Sequence, residues 1–275
     1  MNFNRRQWIQ AVGLAGFASC CGGCRFAPES GRHQWMFMTE HQELSWGAEV
    51  FEELVSREKA SQNLPLVQLL SRVGKRIAEQ ANRSDFDWEF ELVDSETVNA
   101  VCLPGGKVVV SESILPLCEN EAGLAVLLSH EVAHILARHG GERLSKGILV
   151  NNAKDNWKSV TRANSTHKTD RMMMAYGVVS EELETVPYSL AQELEADQIG
   201  VKLMANAGYD PNVATEFWKR LGGGNKQRPN EYSTVHVSNE RREMSLMACM
   251  GDAEQYYADC ELKLGRGQAI VTPQT

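Results

Sequence analysis

Residues 124–138 read LAVLLSHEVAHILAR. On a helix, side chains four positions apart lie one turn apart on the same face, so His130 and His134 can aim two imidazoles at one point. Glu131 sits beside that point. This H-E-x-x-H spacing supplies two nitrogen ligands for zinc and a carboxylate close enough to take a proton from a water there. The stretch is apolar almost all round (Leu124, Val126, Leu127, Leu128, Val132, Ile135, Leu136), as in a helix that runs through a core. Two imidazoles and a carboxylate are costly to bury without a partner, and a metal ion is one. A chance match inside an ordinary core helix is the competing reading of this stretch alone.

A second helix carries the remaining donors. Ser189-Leu190-Ala191-Gln192 is a capping box, so a helix begins near Leu190. It should end near Asn206, with Gly208 and Pro211 beyond it. At about 100° per residue, Leu190, Leu194, Val201 and Met204 form one apolar stripe, with Glu193 and Asp197 inside it. Glu195 falls on the far side near Lys202, where water is expected to solvate it. Two inward carboxylates one turn apart need a reason, because unpaired buried charge is expensive. Glu193 is therefore assigned as the third metal ligand. Asp197 is assigned as the acceptor for the outer nitrogen of a ligand histidine, fixing its tautomer. An ion pair at the edge of the core is the alternative for both.

The 275 residues, 43% of them hydrophobic, can bury one good core or two small ones. A formal charge of −8 without a Lys/Arg stripe argues against a nucleic-acid partner. No run of eighteen apolar residues occurs, so no ordinary membrane span is expected. Arg5-Arg6 before the apolar run 11–18 reads as a twin-arginine export signal over residues 1–19. Phe17-Ala18-Ser19-Cys20 is similar to a lipoprotein processing site, with Cys20 as the lipidated residue. Phe17 departs from the usual aliphatic residue, and a plain cleaved signal is the alternative. The expected location is the cell envelope or periplasm, with a lipid anchor in a membrane. A tether over 20–45, a catalytic domain over 46–262 and a flexible tail over 263–275 complete the division. Seven cysteines define no disulfide framework. Whether Cys249 and Cys260 bridge is left open.

Between leader and metal helix, Val67, Leu70, Val73 and Ile77 recur at threes and fours, giving a helix over 66–80. Strands are expected at 88–92, 99–103 and 107–110, the last two joined by Pro104-Gly105-Gly106. Those glycines allow a tight turn and also the approach of another backbone, such as an extended peptide substrate. A simple hairpin turn fits them equally. Asn120 is the expected N-cap of the metal helix and Gly140-Gly141 its stop. His139, just before that stop, is left outside the site. Residues 142–187 are polar and hard to parse, with Met172, Met173 and Met174 as packing filler or part of a mobile cover. Helices, a three- or four-stranded sheet and two metal-bearing helices make an α+β, mostly helical domain.

His130-Glu131-Val132-Ala133-His134 followed by Glu193-Leu194-Glu195-Ala196-Asp197 resembles the zinc peptidase family of CAAX prenyl proteases and HtpX-like proteins, in its soluble, envelope-located, BepA- and LoiP-like branch. The likeness covers about 66–247. Asn99-Ala100 and Pro104-Gly105-Gly106 resemble the family's edge strand and turn, which implies a substrate-binding role for them. Ala207-Gly208-Tyr209-Asp210-Pro211 resembles the segment after the carboxylate helix. Ser233-Thr234-Val235-His236-Val237, with Arg242 six residues past His236, is similar to a Ser-Thr-His-Pro segment, although Val235 is inserted and the proline is missing. The resemblance implies that His236 and Arg242 face the cleft and stabilise an oxyanion, or that His236 caps the metal. It implies a zincin-like (gluzincin) fold and one Zn2+ per chain, held by His130, His134 and Glu193, with Glu131 as the base. The implied activity is an endopeptidase for unfolded or misassembled envelope proteins. A chaperone or assembly factor with a latent site is the rival.

Overall fold

The computed structural model describes residues 24–27, 30–153, 168–178, 187–223, 231–236 and 240–271. The export signal and Cys20 lie outside the described residues. A small hairpin of β1 (Cys24–Phe26) and β2 (His33–Trp35) comes first, then α1 (Glu40–Arg57) and α2 (Leu64–Gln80). Three strands follow: β3 (Glu89–Val93), β4 (Ala100–Leu103) and β5 (Lys107–Ser111). Their order is β3-β5-β4, with β3 parallel and β4 antiparallel to β5. All five β5 residues are buried, which is why it reads as an unbroken valine run and not as an alternation. Helix α2 buries Leu66, Leu69, Leu70, Val73 and Ile77 along one stripe. Gly74 lets α2 close onto the Phe90 ring of β3.

The Pro104-Gly105-Gly106 turn is the hairpin reading. Gly106 N–H donates to Leu103 O (3.2 Å), and both glycines have φ above +80°, which favours residues without a Cβ. The turn lies under α1: a Cβ at Gly47 of that helix would stand 2.1 Å from Pro104 O, and Trp88 covers Gly106. Pro104, Gly105 and Gly106 therefore pack against the chain itself and are not an open peptide-binding surface.

After α3 (Leu115–Cys118) comes the metal helix α4 (Glu121–Leu136). Asn120 Oδ1 accepts the Gly123 N–H at 3.1 Å, and every residue of α4 is buried. The helix does not stop at Gly140-Gly141. It ends at Leu136, the chain reverses at Arg138 (φ +57°), and α5 (His139–Ala153) starts at once. Arg138 is held there by an ion pair to Glu43 of α1 at 2.6 Å. The glycines serve close packing, since a Cβ on Gly140 would lie 2.0 Å from the Tyr176 ring. Gly140→Val is therefore expected to cost at least about 1–3 kcal/mol through overpacking, read as a lower midpoint in urea unfolding.

Beyond α6 (Lys168–Ala175), where Met172, Met173 and Met174 are all buried, lies the carboxylate helix α7 (Leu190–Asn206). Both halves of its Ser189/Gln192 capping box form, and Gly208 follows its end at φ +87°. Helix α7 packs along α4. Gly200 makes the approach close, because a Cβ there would meet His130 N at 3.1 Å. The chain continues through α8 (Val213–Gly223), α9 (Glu231–Val235) and α10 (Glu240–Asp259).

Both ends of the expected domain are corrected. Residues 30–45 are no loose tether: Gln34, Met36 and Met38 are buried, and Arg32 pairs with α5 and α7. Nor is 263–271 a free tail. Glu121 and Ala122 donate their N–H groups to Gln268 O and Arg266 O, so this segment satisfies the first turn of α4. Cys249 and Cys260 are free thiols. No helix among the described residues is long and apolar enough to cross a membrane.

Candidate active site

Helix α4 aims His130 and His134 the same way, and α7 brings Glu193 to meet them. His130 Nε2 and His134 Nε2 stand 3.1 Å apart, and each lies 3.5 Å from a Glu193 carboxylate oxygen. A fourth donor joins from the residue after α9: His236 Nδ1 is 3.2 Å from His130 Nε2 and 3.1 Å from Glu193 Oε1. One ligand atom from each of the four lies within 4.8 Å of all the others, and all four residues are buried.

The donor set fits zinc. Bonds of about 2.0–2.1 Å place tetrahedral neighbours roughly 3.3 Å apart, in line with these separations. Charge fits as well. Glu193 and Asp197 are buried against the Arg242 guanidinium, and Glu131 is buried nearby, a carboxylate-rich setting suited to a cation. Burial lowers the His130 pKa, but Asp197 and Glu193 more than reverse this and lift it to about 9, whereas burial holds His134 well below its ordinary value.

Outer partners fix the ligands. Asp197 Oδ1 is 3.0 Å from His130 Nδ1. Arg242 grips Asp197 with two bonds (2.8 and 2.7 Å) and reaches Glu193 Oε2 at 2.5 Å, its guanidinium stacked 4.1 Å over Trp218. Burial works to raise the Glu193 pKa; Arg242, foremost among its neighbours, holds it well below the carboxylate range. Arg242 thus sits 3% exposed behind the ligands and not on the open cleft, where oxyanion stabilisation placed it. Its register six residues past His236 was legible; its task was not.

Glu131 Oε1 accepts a hydrogen bond from Tyr232 Oη at 2.7 Å and lies 3.4 Å from His236 Nε2. Burial and the neighbouring Glu131 hold the Tyr232 pKa well above its ordinary value, so the phenol keeps its proton and donates. Helix α9 also occupies the chain just before β4: Val98 N–H donates to Glu231 Oε2 (3.1 Å) and Val98 O accepts from Tyr232 N–H (2.9 Å). Asn99 turns its backbone toward Ser111, and Ala100 is buried.

Two expectations fail on one cluster. Glu195 is 5% exposed and not solvated; it binds Arg32 and Ser30 of the N-terminal segment and His139 of α5. Burial acts to raise its pKa, and those three hydrogen bonds outweigh it and bring it to about 2. His139 is fully buried with Nδ1 2.8 Å from His134 Nδ1, so it belongs beside the site. Burial pushes its pKa down, favouring the neutral ring. No periodicity argument spans the break at Arg138, and that break re-aims His139. Tyr232 was missed too, its only signal being its place one residue before Ser233.

Comparison with known proteins agrees with this geometry. Over 250 residues the chain is 31% identical to the mitochondrial metalloendopeptidase OMA1 of Schizosaccharomyces pombe, covering 86% of this chain and 70% of that protein. The Saccharomyces cerevisiae OMA1 is 28% identical over 87% of this chain and 75% of its own length. The beta-barrel assembly-enhancing protease of Escherichia coli O157:H7 is 25% identical over 64% of this chain and 37% of that protein. The envelope or periplasmic location expected from the leader is corrected by these relatives, since the proteins matched over most of both lengths are named as mitochondrial. Residues 67–249 match Peptidase family M48. With the H-E-x-x-H helix and its Glu193 partner in place, the chain belongs to peptidase family M48 and is a zinc metalloendopeptidase.

Proposed function

We propose that this chain hydrolyses peptide bonds in unfolded or misassembled proteins, a quality-control protease holding one Zn2+ through His130, His134 and Glu193. The observation that carries the reading is the convergence of the two Nε2 atoms on Glu193, with the Glu131 carboxylate alongside. When bound, zinc supplies Lewis acidity, making a water acidic near neutral pH and polarising a carbonyl. Glu131 takes the proton of the attacking water and returns it to the departing amine. The Tyr232 hydroxyl holds Glu131 in one rotamer for that transfer. Asp197 fixes the His130 tautomer, and Arg242 holds Glu193 and Asp197 in register. An extended substrate would pair by its backbone near Asn99 and Ala100 once Glu231 and Tyr232 release Val98, a pairing that tolerates varied side chains and so favours unfolded chains.

A second reading rests on His236 and α9. With Nδ1 of His236 among the ligand atoms and Val98 already paired, the site is closed by its own chain. Catalytic zinc sites keep a position open, so this arrangement is a latent state. A chaperone or assembly factor whose protease site stays latent would look the same. His236→Ala is expected to speed casein digestion about tenfold or more, equivalent to removing a bias of roughly 1.4 kcal/mol toward the closed state. A slower variant would return His236 to an oxyanion role. No digestion by either protein, with zinc bound, would favour the chaperone.

A further inference from the structure

We infer that His139, Glu195 and Arg32 form a positioning chain that sets the tautomer and aim of His134, coupling its hold on zinc to the N-terminal segment. The inference rests on the reading of His134 as a zinc ligand. Arg32 lies outside residues 67–249, so the family match assigns it nothing.

The two histidines of α4 are supported differently. Behind His130 stands a carboxylate, Asp197, at 3.0 Å. Behind His134 stands another imidazole, with the Nδ1 atoms 2.8 Å apart. One of that pair must carry the proton and the other must accept it. His134 turns Nε2 toward His130 Nε2 and Glu193 Oε1, so with a metal there its proton belongs on Nδ1 and His139 Nδ1 accepts. His139 then carries its own proton on Nε2, which lies 3.1 Å from Glu195 Oε2. Every hydrogen bond in the chain therefore has one possible direction.

Glu195 is anchored in turn from outside the catalytic helices. Arg32 Nε donates to Glu195 Oε2 at 2.6 Å, and Ser30 Oγ donates to Oε1. The other two Arg32 nitrogens take both Glu142 oxygens, at 3.0 and 2.7 Å, so the guanidinium is locked in orientation. Gln192 of α7 adds a bond to Glu142 at 3.0 Å. Arg32 is 26% exposed along its side chain, whereas His134, His139 and Glu195 are buried. Four side chains thus lead from the metal ligand to the surface. A carboxylate at the end of such a chain makes the ligand imidazole more basic and holds its ring plane.

The test follows zinc leaving the full-length, zinc-loaded chain into a chromogenic chelator, alongside the visible absorption of the Co2+-substituted protein. His139→Leu keeps the bulk and loses the hydrogen bonds; it should release zinc about 10–100-fold faster and shift the cobalt bands. His139→Asn puts Oδ1 where Nδ1 stood and should stay within about threefold of wild type. Arg32→Met should fall between them. Equal rates for the Leu and Asn variants, or a wild-type rate for Arg32→Met, overturn the inference. If the His139 variants do not fold, Arg32→Met decides alone. His134→Ala separates the two levels: retention of zinc there would undo the ligand reading itself. Loss of zinc there with a wild-type rate for His139→Leu would undo only the positioning chain.

Discussion

Glu131→Gln is expected to slow hydrolysis of an unfolded substrate by about 10²–10⁴-fold, the usual worth of a general base, with zinc content unchanged. The substitution keeps shape and volume. The glutamine Oε1 can still accept the Tyr232 hydroxyl, so the surroundings need not move. What disappears is the ability to take a proton. None of the nitrogen and oxygen atoms that meet around His130 and His134 comes from Glu131, so metal retention should be untouched. Turnover of casein or a fluorogenic peptide, with metal analysis of the same samples, measures both. A rate near wild type with zinc bound would remove Glu131 from the proton transfer.

The second large effect is on stability. Arg242 faces both Glu193 and Asp197, and all three are buried. Arg242→Ala leaves two carboxylates facing one another without that cation. Breaking a buried ion pair from one side costs about 3–5 kcal/mol, and the Arg242 stacking on Trp218 goes with it. Urea unfolding of the metal-free protein is the direct measurement. A loss below about 1 kcal/mol would show that Arg242 does not hold these carboxylates. The zinc-loaded variant should suffer less, since a cation at the ligands offsets part of the repulsion.

The parts of the fold legible in the sequence are those where one periodicity runs unbroken between two caps. Asn120 and Ser189 open α4 and α7, and within each helix a 3.6-residue repeat was enough to face His130, His134, Glu193 and Asp197 together. Legibility ends where the chain changes direction. Arg138 in the left-handed region stops α4 two residues before the glycines, a device that no composition rule picks out, and His139 turns inward as a result. Glu195 failed for another reason. The facing argument gives a helix one wet side, but α7 is covered on that side by α5 and by residues 30–32, which bring their own cation. The Pro104–Gly106 turn was open to two readings because the same glycines suit a substrate or a packed helix; Gly47 on α1 settles which. The segment at 263–271 carries no periodicity, and its role as the lid on the first turn of α4 comes from backbone groups alone.

One short segment both holds the backbone of Val98 and delivers His236 to the ligand cluster. On the latent reading proposed above, a strand competing for Val98 would pull on the same piece of chain that closes the ligand cluster, and the arriving polypeptide would act as the key to its own cleavage. A fragment too short to reach that far would then have nothing with which to turn the lock. Selection would then rest on reach and disorder and not on side-chain sequence, in keeping with the proposed preference for unfolded chains.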